Sequence, residues 1–140
     1  MGRFEPDCTQ CFGLCCVALP FLRSTGAAGF AFDKPAGEPC RHLAADDTCA
    51  IHSSLLPAGM GGCVAYECFG AGQHVSQVLY DGVSWREAPG TAGQMFAVLG
   101  VVRRLHEMLV LLDQASSRVP SAALSALRDR VSGATLGTPA

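Results

Sequence analysis

The longest hydrophobic pattern in the chain covers residues 91–116 and predicts a helix. Apolar residues fill a broad arc of the helical wheel, at Val98, Val101, Val102, Leu105, Met108, Leu109 and Leu112. The opposite arc carries the charged residues Arg103, Arg104 and Glu107. Thr91 and Gln94 have the spacing of a capping box, which marks the start of the helix. An apolar arc this broad indicates a central core helix, and the charged positions exclude a membrane span.

Weaker patterns flank this helix on both sides. Residues 71–82 favour a second helix that ends at Gly82, and a hairpin around an Asp81-Gly82 turn is the alternative. After Pro120, apolar residues at helical spacing predict a short helix that ends near residue 131; they are Leu124, Leu127 and Val131. Residues 132–140 show no pattern and are predicted to be a disordered tail.

The first half, residues 1–70, has no long periodic segment and is rich in Cys, Gly and Pro. Its many turn signals predict irregular structure, with a short helix over 8–17 and a short strand over 29–32. A loop-rich segment of this size normally needs a cross-link or a metal. We therefore expect one small, mainly α domain over 1–131. In it, an irregular, cysteine-rich, metal-organised N-terminal half packs on the helical segment 71–131 and its long apolar helix.

Composition and charge narrow the classes of function. The 10 basic and 12 acidic residues give a net charge of −2, which offers no basic surface for nucleic acid. Only 16% of residues are charged and 49% are hydrophobic. So little polar surface indicates efficient burial or an apolar face for a partner. A homo-oligomer or a protein partner bound through the 91–116 helix is therefore expected.

The first residues indicate the compartment. They contain no apolar stretch and no small-residue cleavage site, so no secretory signal is predicted. Pro6 stands where a myristoylation pattern requires Ser or Thr. We expect a cytoplasmic, reducing setting, in which clustered cysteines more often bind metal or carry out redox chemistry than form stable disulfides.

Eight cysteines lie between residues 8 and 68, and none follows. All are candidate metal ligands: Cys8, Cys11, Cys15, Cys16, Cys40, Cys49, Cys63 and Cys68. If residues 8–16 are helical, Cys8, Cys11 and Cys15 share one face, whereas Cys16 is turned away by about 100°. Cys16 would then serve a second site, or the helix would break there.

Several cofactors suit this donor set. Eight thiols could form two four-cysteine zinc sites, one iron–sulfur cluster with spare thiols, or a multinuclear thiolate cluster. Zinc is expected first, with iron or an iron–sulfur cluster as the alternative. Two further interpretations are weaker. Inert buried thiols seldom number eight within 61 residues, and a catalytic Cys8-x2-Cys11 dithiol lacks the preceding βαβ pattern of that motif.

Four cysteine elements follow one another along residues 8–68. They are Cys8-x2-Cys11-x3-Cys15-Cys16, Pro39-Cys40, Cys49-Ala50-Ile51-His52 and Cys63-x4-Cys68. In type and order they resemble the CxxCxxxCC family, described as a zinc- or iron-chelating domain. The resemblance covers under half of the chain and implies metal binding by the cysteines, without a reaction. A glycine-rich stretch, 58–62, precedes Cys63, where that family often carries Arg-Pro and a nearby cysteine. Residues 68–73 also look like the leader of some actinobacterial pentapeptide-repeat proteins, but no such repeats follow.

The remaining polar residues offer weaker candidates. His52, three residues after Cys49, is a possible ligand or a hydrogen-bond donor to a thiolate. Three other histidines are expected in packing or surface roles: His42, His74 and His106. Asp46-Asp47 is expected to be a solvated turn. No catalytic motif is present, so no catalytic residue is predicted. The sequence favours a metal-binding protein with structural or cargo zinc, followed by a redox protein or enzyme with a metal centre, and then an interaction module.

Overall fold

The structure is a computed structural model that describes residues 2–137 and is mainly helical. Its helices are α1 (Leu14–Ala18), α2 (Gly61–Ala65), α3 (Ala71–Gln73), α4 (Ala92–Arg118) and α5 (Ala122–Ala134). α3 continues into a π-helical stretch, His74–Leu79, and 3-10 turns lie at His52–Ser54 and Pro89–Thr91. Over residues 2–137 no strand forms. Three isolated antiparallel bridges join Phe21 to Lys34, Ser24 to Phe30 and Leu43 to Cys49.

The first half is irregular, as its turn signals predicted, but two local predictions for it were wrong. The expected strand over 29–32 is reduced to the single bridge at Phe30. The expected helix over 8–17 begins only at Leu14, because Gly13 adopts the left-handed conformation (φ 61°) just before it. Cys8 and Cys11 therefore lie in turns that precede α1.

The segment 71–82 forms a helix, and the alternative hairpin does not form. Ala71 and Val75 turn towards the core and are fully buried. The helix widens into the π-helical stretch and ends at Leu79. Asp81 (φ 52°) and Gly82 (φ 74°) then make a left-handed turn. Gly82 therefore lies in the turn that follows the helix, as predicted, although the helix itself ends three residues earlier, at Leu79.

The long helix α4 agrees with the prediction for 91–116, but its start and its buried face differ. The Thr91 hydroxyl donates to the Ala88 carbonyl (2.7 Å) and does not cap the helix. Its buried stripe is Met95, Leu99, Val102, His106 and Leu109. Val101 and Met108, which the apolar arc predicted to be buried, are 59% and 44% exposed. Neighbouring elements cover only one side of α4, so the stripe is narrower than the arc.

Two separate cores hold the fold together. The first core joins α1, α4 and α3 with its π-helical continuation; its buried residues are Leu14, Ala71, Val75, Met95, Leu99 and Val102. The second core lies inside the irregular half and consists of Phe30, Cys40 and Met60, with Phe21 stacked on Phe30 at 4.3 Å between ring centroids. Each large apolar side chain buried here stabilises the fold by about 1.5–3 kcal/mol. The cysteine-rich half therefore has an apolar core of its own, which includes Cys40.

The C-terminal helix extends past the predicted boundary at residue 131. α5 continues to Ala134, and Thr135 is buried, so the predicted disordered tail 132–140 is ordered in its first part. Arg3 donates to the Thr135 hydroxyl (2.9 Å), and His74 Nε2 lies 2.8 Å from the Thr135 carbonyl oxygen. These long-range hydrogen bonds explain why the segment is ordered. Residues 138–140 of the predicted tail lie outside the described residues.

None of the helices in the described part of the chain has the length and hydropathy that crossing a bilayer requires. This agrees with the prediction for residues 91–116.

Candidate functional site

Seven of the eight cysteines line one cavity of about 120 Å³, called here the thiol cavity. They are Cys8, Cys11, Cys15, Cys16, Cys49, Cys63 and Cys68. The eighth, Cys40, lines an adjoining cavity of about 20 Å³ together with Cys15, Cys16 and Cys63. All eight are free thiols. The fold therefore brings the separated cysteine motifs of the first half together at one place.

Hydrogen bonds to the helix at 71–79 position the turn that carries Cys8 and Cys11. The Gln73 side chain accepts from the Asp7 amide (3.2 Å) and donates to the Glu5 carbonyl (2.7 Å). Further along, the Ser76 hydroxyl accepts from the Phe12 amide (3.2 Å). These bonds fix the turn from both ends. Polar residues of a helix thus replace the local helical structure that was expected around Cys8.

The loop that carries Cys68 is held by α4. Arg103 Nε donates to the Glu67 carbonyl (2.8 Å), and His106 Nδ1 lies 2.7 Å from the Phe69 carbonyl oxygen. Phe69 and Gly70 both have positive φ, which turns the chain sharply into α3. A Cβ atom at Gly70 would lie 2.4 Å from the Arg3 carbonyl oxygen, so only glycine fits at this position.

Gly72 also belongs to the site, because it makes room for a thiol. A Cβ atom at Gly72 would lie 2.7 Å from Cys11 Sγ, closer than real contacts allow. The Leu14 amide donates to Cys11 Sγ (3.4 Å), and the nearby backbone amides of Gly72 and Gly70 partly oppose the burial that raises the pKa of Cys68. The Leu14 amide thus offers a stabilising donor to sulfur. The sequence analysis missed Gly72, because an isolated helical glycine carries no signal of its own.

A buried lysine lies beside the other cysteines, and the sequence analysis also missed it. Lys34 is the single lysine of the chain and is only 4% exposed. Its ammonium donates to the carbonyls of Val17 (3.3 Å), Leu19 (2.6 Å) and Pro35 (3.1 Å). Burial lowers its pKa, while the nearby Cys40, Cys16 and Cys15 oppose that shift. The sequence feature that could have drawn attention to Lys34 is that it is the single lysine, while the other basic residues are arginines.

Burial makes the thiols of the cavity weak acids. It is the first cause of the raised pKa of Cys11, to about 12, and of Cys63, to about 11. It likewise raises the pKa of Cys8 and of Cys68. A hydrogen bond with the Cys16 thiol, followed by burial, raises the pKa of Cys15 well above its usual value. The thiols of the cavity are therefore protonated and neutral, and a bound cation would convert them to thiolates.

The placement of Cys15 and Cys16 differs from one expectation. The two thiols were expected to point to different places, because successive residues diverge on a helix. In the structure they are neighbours, and both line both cavities.

The cysteines of the thiol cavity have the chemistry that a thiolate-bound metal needs, but their side chains are not arranged around a common point. Soft thiolates select zinc, copper(I) and iron–sulfur centres, and seven of them face one cavity. Among residues 2–137, however, no group of three or more His, Cys, Asp or Glu side chains is arranged so that it could hold a metal ion. A cysteine reorients about a single dihedral angle between staggered rotamers. Convergence on an ion therefore requires rotamer changes of side chains that already share the cavity.

The other candidate polar residues take different places. His52 is exposed and lines the thiol cavity, so the structure keeps it near the cysteines. Asp47, expected in a solvated turn, is instead buried, where it accepts from Ser84 Oγ (2.8 Å) and Arg86 Nε (2.6 Å). Its left-handed backbone (φ 65°) brings it inward, which the sequence pattern did not reveal.

The remaining histidines lie apart from the cavity. The His42 ring packs 5.9 Å from the Phe32 ring. The rings of His74 and His106 pack on each other at 5.0 Å. All three thus have the packing roles expected from the sequence.

Comparison with known proteins gives one relative without an assigned role. No family model and no solved structure matches the chain. The chain is 56% identical over 111 residues to "Uncharacterized protein YybG" of Bacillus subtilis (strain 168). The match covers 79% of this chain and 39% of the relative, so the chain spans about two fifths of that protein's length. The resemblance to the CxxCxxxCC family rests on the cysteine elements alone.

Proposed function

We propose that this chain is a metal-binding protein whose clustered cysteines hold zinc as thiolates. The observation that supports this is the convergence of seven thiols, from distant parts of the first half, on one cavity. Packing alone would not require them to meet, because free cysteines pack as well at scattered buried positions. The proposal extends the CxxCxxxCC resemblance, and it includes a reducing, cytoplasmic setting in which free thiols persist.

In this proposal the metal organises the first half of the chain. The cysteines come from turns and from two helices of five residues each, α1 and α2, which bury little surface by themselves. Metal–thiolate bonds would tie these segments together, in the way that structural zinc supplies folding free energy in small domains. If the second core alone holds these segments together, the zinc would instead be carried as cargo.

Elemental analysis with a visible spectrum on anaerobically purified protein tests the proposal. We expect bound zinc in a colourless protein, and no metal in a variant with serine at Cys8, Cys11, Cys15 and Cys63. Protein from a reducing cytosol that carries four disulfides and no metal, by mass spectrometry, would contradict it.

An iron–sulfur redox centre is the second candidate. The Leu14 amide that donates to Cys11 Sγ favours it, because hydrogen bonds to sulfur tune such clusters. Stoichiometric iron and acid-labile sulfide, with a visible absorbance band that bleaches on reduction, would establish this function in place of zinc binding.

An interaction role for α4 is the third candidate. Val101, Met108 and Leu111 are large apolar residues on this helix, and each is more than two fifths exposed. A second copy or another protein could cover them. Sedimentation of the wild type against Met108→Glu tests for a second copy: we expect a dimer for the wild type and a monomer for the variant.

A further inference from the structure

The outward face of α4 carries a row of mostly exposed side chains at the spacing of a heptad repeat. Successive members are four, three, four, three and four residues apart. Val101, Met108 and Leu111 are 59%, 44% and 58% exposed, and Arg104 is exposed as well. The row, called here the outer seam, consists of Ala97, Val101, Arg104, Met108, Leu111 and Ala115. Such a spacing is typical of a helix that packs lengthwise on another helix.

The outer seam lies opposite the side of α4 that the fold covers. Arg104 and Met108 are each two positions from the buried His106, which is about 200° around the helix. The buried stripe packs on the first core, and its member Leu99 lines the thiol cavity. An occupant of the outer seam would therefore leave the thiol cavity free.

The outer seam matches itself when it is read in the opposite direction. Its members form three pairs that are equally distant from residue 106: Ala97 with Ala115, Val101 with Leu111, and Arg104 with Met108. A twofold axis near residue 106 would therefore place small residues against small residues at both ends, and apolar residues against apolar residues further in. A twofold interface uses the same patch on both copies, so this match favours a second copy over an unrelated partner.

The charge of Arg104 selects the antiparallel orientation. In a parallel pair with the seams in register, the two Arg104 side chains would face each other, and like charges across an interface repel. In an antiparallel pair, Arg104 faces the partner's Met108 and can reach the partner's Glu107 beside it. Within residues 2–137 Arg104 has no ion pair or hydrogen bond, whereas the Glu107 side chain is 44% exposed and accepts from Arg103 (3.1 Å). The cation and the accessible carboxylate are thus complementary across an antiparallel interface.

We propose that the partner of α4 is α4 of a second copy, paired antiparallel along the outer seam about an axis near residue 106. The inference rests on the third candidate function, the interaction role of α4, and gives that role its partner and orientation. Residues 97–115 span about 27 Å of helix. Because each copy contributes only three large apolar side chains to the seam, the interface is small and the dimer should dissociate on dilution.

Photo-crosslinking from the outer seam tests the orientation. The photoreactive residue p-benzoylphenylalanine, placed at Val101 of the full chain, should give a covalent dimer in which mass spectrometry maps the crosslink to the region of the partner's Leu111. The reverse placement, at Leu111, should crosslink to the region of the partner's Val101. Crosslinks between like positions would overturn the antiparallel arrangement, and a dimer without crosslinks from either position would place the interface away from the seam.

Sedimentation of the same samples separates this inference from the proposed metal binding. A monomer at every concentration would overturn the pairing, and with it the third candidate function for a second copy. Bound zinc in that monomer would leave the proposed metal binding intact, because the outer seam and the thiol cavity lie on opposite sides of α4.

Charge reversal tests the register. Arg104→Glu should raise the dissociation constant of the dimer by at least about tenfold, because it brings a like charge to the partner's Glu107. Arg130→Glu is the matched control, since it makes the same change of charge at an exposed position of α5; it should leave the dissociation constant unchanged. Combining Arg104→Glu with Glu107→Arg restores opposite charges and should recover most of the affinity. Equal dissociation constants for Arg104→Glu and Arg130→Glu, or no recovery in the combined variant, would overturn the contact between Arg104 and Glu107.

Discussion

At the residue scale, the site depends on small and buried side chains as much as on the cysteines. Gly72 leaves the space that Cys11 Sγ occupies, and Lys34 places a charge beside Cys40. Neither residue belongs to a cysteine motif. Their contributions can be measured separately from those of the cysteines.

Gly72→Ala should weaken metal binding about tenfold, the range found for residues that support metal ligands. The new Cβ atom would lie 2.7 Å from Cys11 Sγ and displace that thiol. Competition with a chromophoric chelator measures the change. Gly100→Ala is the control, because its Cβ atom would meet nothing within 4 Å; it should leave metal affinity unchanged and stabilise α4 by up to about 1 kcal/mol. Equal affinity in both variants would show that Cys11 is not a ligand.

Lys34→Met should destabilise the protein by about 1–3 kcal/mol, because the carbonyl of buried Val17 and the carbonyls of Leu19 and Pro35 would lose a charged donor. Urea unfolding measures the loss. Arg23→Met, at an exposed site, should change stability by less than about 0.5 kcal/mol. A stable Lys34→Met protein would indicate that water replaces the ammonium.

At the element scale, α4 acts as the support for the cysteine loops. One of its faces buries apolar residues in the first core, while Arg103 and His106 reach the carbonyls of the loop at 67–69. The guanidinium of Arg103 also lies over the rings of Phe69 (5.4 Å) and Tyr66 (5.7 Å). One helix thus sets the position of Cys68 through polar contacts.

Arg103→Met should release this loop and cost about 1–2 kcal/mol. Hydrogen exchange of the amides at 67–71 should become faster than in the wild type, because the Glu67 carbonyl loses its donor. Arg104→Met, on the exposed side of the same helix, should change neither quantity. Faster exchange in both variants would mean that α4 itself had become less stable.

At the scale of the whole molecule, the two halves are stabilised differently. The helical half is built on the first core, whereas the irregular half combines the small second core with the thiol cavity. If metal organises the irregular half, its removal should affect that half first.

Chelation should lower the melting temperature and expose residues 1–70 to protease before the helices are cut. Structural zinc supplies free energy on the order of 10 kcal/mol in small domains, so the loss should be large. Limited proteolysis with mass spectrometry locates the cuts. Unchanged resistance after complete metal removal would assign the metal to cargo rather than to structure.

The metal-free, reduced protein should lose stability as the pH rises above 9. The pKa of Cys11 is raised from 9.0 to about 12 in the folded chain, and that of Cys63 to about 11. Between these values the unfolded chain has released protons that the folded chain retains, so a rising pH favours unfolding. Urea midpoints at neutral pH and at about pH 10 test this. Cys11→Ser should show a smaller decrease, and a midpoint that rises with pH would contradict the shifts.

The sequence by itself determined the helical class, the extent of α4 and the irregular nature of the first half. These features follow from the spacing of apolar residues and from turn residues close together in the chain, so local pattern carries them. The same information gave the wrong start for α1 and too wide a buried face for α4. Burial depends on which neighbouring elements cover a helix face, and a helical wheel carries no information about those neighbours.

Only the tertiary structure decided which thiols meet. It places Cys40 beside Cys16, brings Cys68 to the turn of Cys8 and Cys11, and buries Lys34 among them. These contacts join residues that are tens of positions apart, and they depend on hydrogen bonds from α3 and α4 to irregular backbone. The cysteine spacing indicated a site because the thiols that could bind a metal can be identified from the sequence alone. Which thiols share the cavity depends on packing between distant segments, which no local pattern records.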